Sequence, residues 1–397
     1  MTDFSATRAL FDLPDGVIYM DGNSLGPLPA AVPKRLDRMM CDEWGQMVIT
    51  GWNRAGWMEM PRRIGDRIGR LIGAPEGSVV MGDTLSIKVY QALASALSLR
   101  PGRKVILSDT GNFPTDLYMA EGLIRTLDRD HELRLVAPED VEDAIDQDIA
   151  ALLLTEVDYR TGRRHDLHRL TALTQKAGGL AIWDLAHSAG ALPVDVSSGR
   201  ADFAVGCTYK YLNSGPGGPA FIYVAPEHAD TIQPSLSGWL GHEAPFAFDT
   251  DYRPGTGIDR MRVGTPPILQ LAALDAALDV WDQVDMHDLR ARSIALSRLF
   301  IDEVEAQCPD LSLASPRDDR QRGSQVSFRS EHGYPIMQAL IAEGVIGDFR
   351  APDIMRFGIT PLYLSEADIR QAAAILGTIT ARRSWDKPQF HARNAVT

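Results

Sequence analysis

The chain has 397 residues, 45% hydrophobic and 23% charged, enough for a large core and more than one domain, with nothing that suggests disorder. A net charge of −13 argues against a nucleic-acid partner, leaving room only for a local basic patch, and neither the N-terminus nor any apolar run reads as a leader or a membrane span, so a cytoplasmic protein without a membrane partner is expected. Cys41, Cys207 and Cys308 are odd in number and far apart, which argues against a disulfide framework and a metal site.

Taken in order, Tyr19-Met-Asp-Gly-Asn-Ser-Leu-Gly-Pro-Leu-Pro29 reads as an ordered loop punctuated by Gly and Pro. The aromatic run Gly51-Trp-Asn-Arg-Ala-Gly-Trp57 follows, its tryptophans suited either to packing or to lining a pocket for a flat molecule. Pro61 opens a helix with Ile64, Ile68, Leu71 and Ile72 on one face and Gly73 at its stop. From residue 78 short apolar runs alternate with helices, the pattern of a parallel α/β sheet. Seven strands are expected: Val79–Met81, Lys104–Leu107, Leu133–Val136, Ala151–Leu154, Leu180–Trp183, Phe203–Val205 and Ala220–Val224, the last free to run antiparallel because no helix-length segment precedes it. Asp166 caps a helix that ends at Gly178-Gly179. After about residue 265, helices and short strands form a smaller α/β unit, with Ser324–Phe328 alternating, Ile354–Ile359 extended and Ser365 capping the last helix; the tail from Trp385 is expected to be exposed and loose.

Two of these runs end in chemistry. Asp184 follows Leu180–Trp183 and Lys210 follows Phe203–Val205, so a carboxylate and an amine should face one crevice outside neighbouring strand ends. Either residue alone is ordinary, a helix cap or a solvated lysine. Together they are what pyridoxal 5'-phosphate (PLP) needs: a lysine to hold it as a Schiff base and an acid for its ring nitrogen. His187 stands three residues after Asp184, and Gly82-Asp-Thr-Leu-Ser86 opens a helix whose free amides suit a phosphate, with an ordinary N-cap at Asp83 as the competing reading. Phe113, after the second strand, can stack on a flat ring or belong to the core. No dinucleotide fingerprint, P-loop, His-Glu-x-x-His or Gly-x-Ser-x-Gly motif is present.

The segments Tyr19-Met-Asp-Gly-Asn-Ser-Leu-Gly, Gly51-Trp-Asn-Arg-Ala-Gly-Trp, Asn112-Phe-Pro-Thr-Asp, Trp183-Asp-Leu-Ala-His-Ser-Ala-Gly, Cys207-Thr-Tyr-Lys-Tyr-Leu-Asn and Ser237-Gly-Trp-Leu-Gly-His resemble kynureninase, over about residues 10 to 380. The resemblance implies a homodimeric fold-type I PLP enzyme that hydrolyses L-kynurenine, or its 3-hydroxy form, to anthranilate, or 3-hydroxyanthranilate, and L-alanine. It implies an N-terminal segment 1–50 packing with the small domain, a large PLP-binding domain 51–265 with a mostly parallel seven-stranded sheet, and a small C-terminal domain 266–397. Lys210 resembles the Schiff-base lysine, Asp184 the pyridinium partner and Phe113 the stacking residue, with His187 beside the ring. Thr84, Leu85, Tyr209 and Trp239 match positions that hold the phosphate, and Asp116 lies nearby. Thr265 stands where many family members carry Asn, and Arg356 matches the arginine for the substrate α-carboxylate. Lys210 would take the Cα proton, Asp184 keep the carbanion delocalised and Tyr209 serve proton traffic. The rival readings are a cysteine desulfurase or selenocysteine lyase, which would need a mobile-loop cysteine for which Cys308, at a helix end before Pro309, is a poor candidate, and a PLP-sensing protein without turnover.

Overall fold

The computed structural model describes residues 2–393. Its centre is one seven-stranded sheet formed by β1 (Val79–Met81), β2 (Val105–Asp109), β3 (Glu132–Val136), β4 (Ile149–Thr155), β5 (Leu180–Asp184), β6 (Phe203–Gly206) and β7 (Phe221–Val224), in the order β1-β7-β6-β5-β4-β2-β3. Each coincides with an expected run to within a few residues. Strands β2 to β6 pair in parallel, and β7 is antiparallel to both β1 and β6. The central strands are buried along their whole length, as β4, β5 and β6 show, which is why they read as unbroken apolar runs rather than as alternation.

Helices α1 (Met60–Ile72), α2 (Leu85–Leu99), α3 (Pro114–Leu127) and α4 (Leu167–Ala177) cover the sheet. Ile64, Ile68 and Ile72 of α1 are completely buried, each contributing about 1.5–3 kcal/mol of transfer free energy. The helix reaches the backbone of β1 through Gly65, where an added Cβ would collide with the Val79 carbonyl, so Gly65→Ala would push α1 off the sheet. Gly73 ends α1 with φ 68°, a left-handed value that glycine adopts freely. The Asp166 carboxylate caps α4 by accepting from the Arg169 amide at 3.0 Å.

A second sheet contains β8 (Ser312–Leu313), β9 (Gln325–Arg329), β10 (Asp348–Arg350) and β11 (Ile354–Gly358), in the order β8-β9-β11-β10 and antiparallel throughout. Around it lie α6 (Met286–Gln307), α7 (Gly333–Ala342) and α8 (Glu366–Ala381), whereas α5 (Ile268–Ala277) packs against α1 and the Val32–Arg38 helix. Strand β9 is buried from Gln325 to Phe328 rather than alternating, because packing covers both of its faces. Ser365 and Asp368 form a full capping box on α8. The N-terminal stretch joins this half: Ile18–Tyr19 pairs in parallel with Val345–Ile346. The expectation of a loose tail is corrected at Trp385, which is 5% exposed and stacks on His332 with ring centres 4.4 Å apart; residues 394–397 lie outside the described residues.

Candidate active site

The parallel pairing of β5 with β6 sets Asp184 opposite Val205, at the carboxyl end of the sheet. There Asp184 Oδ1 accepts the Ala186 N–H at 2.8 Å, and the side chain is 1% exposed. Lys210 follows β6 in a turn braced from three sides. The Thr208 hydroxyl donates to the Pro219 carbonyl at 2.7 Å and lies 2.8 Å from Ser214 Oγ, while the Tyr209 carbonyl accepts the Gly26 N–H at 2.7 Å. Lys210 Nζ ends 2.9 Å from His187 Nε2, 5.8 Å from the centre of the Phe113 ring and 6.0 Å from that of Tyr209.

Charge in this group is set by burial. His187 is pushed well below the usual imidazole range by burial and by the cations Lys210, Arg356 and Arg350, so it stays neutral and its Nε2 accepts from Lys210. The ring hydrogen then sits on Nδ1, which is buried without a protein partner. Asp116, also 1% exposed, is raised well above the carboxylic range by burial and then by the charge of Asp184, to which it is hydrogen-bonded. Asp184 is pushed up to about 6 by burial, with Lys210 holding it down. Asp116 therefore keeps the proton and Asp184 carries the charge. Tyr209 is raised by the neighbouring Cys207 thiol and by burial, which keeps its phenol protonated.

The loop that delivers Phe113 and Asp116 is built on Asn112. Its amide nitrogen donates to Ser108 Oγ at 3.0 Å, and its amide oxygen accepts from the Phe113 N–H at 2.7 Å and from the Thr155 hydroxyl. Phe113 leans edge-on against Tyr159, 5.2 Å between centres, and is 38% exposed, so it is not a core residue. At the start of α2, Thr84 is the N-cap residue without a side-chain cap, and Leu85 begins the helix, leaving its first amides free of side-chain acceptors. Asp83 is not the cap; its carboxylate pairs with Lys88.

Arg356, on β11, is 2% exposed. Its fork faces Asp348 across the β10–β11 ladder, with Nε donating to Oδ1 at 2.5 Å and Nη2 to Oδ2; Nη2 also donates to Ser24 Oγ at 2.9 Å and Nη1 to the Tyr159 carbonyl at 2.5 Å. Arg350 Nη2 lies 3.0 Å from the same carboxylate. The residue expected to take a substrate carboxylate thus already holds a carboxylate of its own chain. Asp21, Ser24, Asp348 and Arg350 were missed by the sequence reading as members of this cluster. The segment Tyr19 to Gly26 gave the only signal for the first two.

Residues 289–376 match the model of the kynureninase C-terminal domain family. The kynureninase of Pseudomonas fluorescens and that of Burkholderia pseudomallei strain 1106a are each 50% identical to this chain, covering 98% of it and 95% of their own length. The chain belongs to the kynureninase family. Among solved structures, an apo cysteine desulfurase from Thermococcus onnurineus NA1 superposes with a TM-score of 0.80 at 18% identity, covering 95% of this chain and 98% of its own. A C-DES mutant with glycine covalently linked to its PLP cofactor gives 0.76 at 19%, covering 93% and 98%. These likenesses establish the fold, that of the fold-type I PLP enzymes.

The residue on which a desulfurase reading depended is poorly placed for it. Cys308 is 1% exposed at the end of α6, its sulfur 3.6 Å from the Thr380 hydroxyl, and burial pushes its thiol up, away from the reactive thiolate. Two positions expected to hold the cofactor are open to solvent within one chain. Trp239 is 39% exposed and packs edge-on against Phe246 at 5.7 Å, and Thr265 is exposed on the segment before α5. Of the aromatic pair, Trp57 is core and donates to Glu43 at 3.1 Å, while Trp52 packs edge-on against it at 5.8 Å. Among the described residues, no helix is long and apolar enough to cross a membrane.

Proposed function

We propose that the chain hydrolyses L-kynurenine, 3-hydroxy-L-kynurenine or both to anthranilate or 3-hydroxyanthranilate and L-alanine, with PLP as cofactor, as a step of tryptophan degradation. The 50% identity to kynureninases over 98% of the chain carries this reading. The residues present fit PLP: His187 Nδ1 and Asp116 Oδ2 are buried without a protein partner beside Lys210 and Asp184, and the first turn of α2 is uncapped. Lys210 would hold the aldehyde carbon, Asp184 the ring nitrogen, Phe113 a ring face, and Thr84, Leu85 and Tyr209 the phosphate, with His187 and Asp116 beside the ring and Trp239 and Thr265 closing the site.

When bound, PLP supplies an electron sink for negative charge at the substrate Cα. Lys210 acts as the base that takes the Cα proton, and neutral His187 orients its amine without adding a competing positive charge. Water adds to the γ-carbonyl, the Cβ–Cγ bond breaks with the new carboxyl on the aryl fragment and the electron pair left on Cβ, Cβ takes a proton, and a proton is returned to Cα to complete alanine. Tyr209, protonated across the physiological range, is suited to donate there and unsuited to act as a base. Arg356 lies where three segments meet, and its guanidinium would orient the substrate carboxylate while Asp348 steadies it.

The working form in this reading is a cytoplasmic homodimer in which Trp239 or Thr265 reaches the partner's site. Their exposure supports it, as do the exposed apolar side chains Trp44, Val48 and Ile49. The division into segments 1–50, 51–265 and 266–397 is likewise our reading, supported by the two separate sheets.

An assay of the purified chain with both kynurenines and with L-cysteine tests the reaction. The expected result is alanine and the aryl acid, little sulfide, and a rate unchanged in Cys308→Ser. Sulfide release from cysteine at the higher catalytic efficiency, lost in Cys308→Ser, would overturn it.

A further inference from the structure

One buried cation takes no part in the chemistry above. Lys88, in the first turns of α2, is 0% exposed, and its ammonium meets three acceptors: Gln91 Oε1 at 3.0 Å, the Met261 carbonyl at 3.3 Å and Asp83 Oδ2 at 3.3 Å. Three acceptors satisfy three hydrogens, the complement of a charged lysine rather than of a neutral amine, which has two. Burial pushes its pKa down, and Asp83 pulls it back.

The position of the pair is informative. Asp83 has φ 57° and follows Gly82 at φ 150°, so the chain turns sharply just before Thr84 and Leu85. The Asp83 side chain is 36% exposed, beside the helix amides expected to meet a phosphate. A free carboxylate there would repel a dianion across a few ångströms, a cost that an ion pair removes. The other contacts of Lys88 fix the turn in space, because the Gln91 amide also donates to the Met261 carbonyl at 3.1 Å, and Met261 closes the short Gly257–Met261 turn that leads to Thr265.

We infer that Lys88 is a positioning residue of the phosphate cradle: it neutralises Asp83 and ties the Gly82–Leu85 turn to Met261, so that the amides of α2 face the cofactor phosphate without an opposing charge. This rests on the PLP reading above.

Spectral titration of the full-length chain, stripped of cofactor, with PLP and with pyridoxal, which lacks the phosphate, tests it. In Lys88→Met the dissociation constant for PLP should rise by about tenfold, the equivalent of about 1.4 kcal/mol, while that for pyridoxal changes by less than about twofold. Adding Asp83→Asn to Lys88→Met should recover most of the PLP affinity. Equal weakening of both ligands, or no recovery in the double variant, would overturn the inference by reducing Lys88 to a general support of the fold. If circular dichroism shows Lys88→Met unfolded, Lys88→Gln, which keeps hydrogen-bond donors and loses the charge, is held to the same PLP-selective loss. A wild-type chain that binds no PLP would overturn the cofactor reading and this inference with it; wild-type binding matched by a folded Lys88 variant would overturn this inference alone.

Discussion

Two close pairs of carboxylates, Asp184 with Asp116 and Asp348 with Asp21, resolve the same conflict differently. At the strand ends, Asp184 takes a backbone amide and the field of Lys210 and carries the charge, while Asp116 is driven to keep its proton. In the other half, Asp348 is subject to the same upward push from burial, yet the bonds and charge of Arg356 bring it below its usual range, and Asp21 is raised to about 7 by burial and by Asp348. In each pair the acid with the better donors stays ionised and its neighbour bears the electrostatic cost. The difference lies in the cation. Lys210 acts on its acid by field and hydrogen-bonds to His187 instead; Arg356 grips its acid with two bonds and builds the structure.

The sharpest test of that contrast is Lys210→Ala. It should reduce turnover by at least about a thousandfold, because the proposed function gives Lys210 both the covalent anchor and the base, while the melting temperature stays close to wild type. Cofactor absorbance that still shows the covalent attachment in this variant would sink the assignment. Arg356→Ala should behave in the opposite way. It leaves Asp348 buried without its fork, so roughly 3–5 kcal/mol of stability should be lost alongside any rise in KM, measurable by denaturant unfolding. A variant with wild-type stability and a raised KM would mean that the Asp348 contact is weak and that the arginine serves substrate alone.

A smaller effect should appear at Asp21. Its folded pKa of about 7 lies above the unfolded value of 3.8, so the folded chain binds more protons between those limits. The stabilisation is complete below about pH 4 and is lost as pH rises through 7, by roughly 2–4 kcal/mol in all. Asp21→Asn should flatten the fall in melting temperature between pH 5 and 8, and an unchanged slope would remove Asp21 as its cause.

The first of these clusters was legible in the sequence and the second was not, for physical reasons. Asp184 ends a fully buried strand and Lys210 lies in the turn just after another, so an unbroken apolar run points to each, and the parallel order of the sheet brings the two strand ends together. Asp348 sits on a three-residue strand, too short for any periodicity to declare, and its partnership with Arg356 exists through the β10–β11 register alone. Ser24 and Asp21 arrive from the far end of the chain, a closure no local pattern encodes. Lys88 was passed over because a lysine flanking an apolar helix face ordinarily reaches water with its amine, and here the turns at Asp83 and Met261 enclose it instead. Trp385 misled in the other direction: Lys387-Pro388 reads as a break, yet the indole finds His332 and is buried.

The smallest effect should come from Asp116→Asn, and it bears most directly on which acid of the first pair carries charge. Because Asp116 keeps its proton, asparagine replaces one neutral donor with another of nearly the same shape, and its amide can still donate to Asp184. The loss in kcat/KM should stay within about tenfold, near the value of a single hydrogen bond of altered geometry. Asp184→Asn removes the charge that faces Lys210 and should cost about a hundredfold or more. Measured side by side at neutral pH, the two variants rank the carboxylates directly. If Asp116→Asn proves the more damaging, the charge resides on Asp116 and the roles within the pair are reversed.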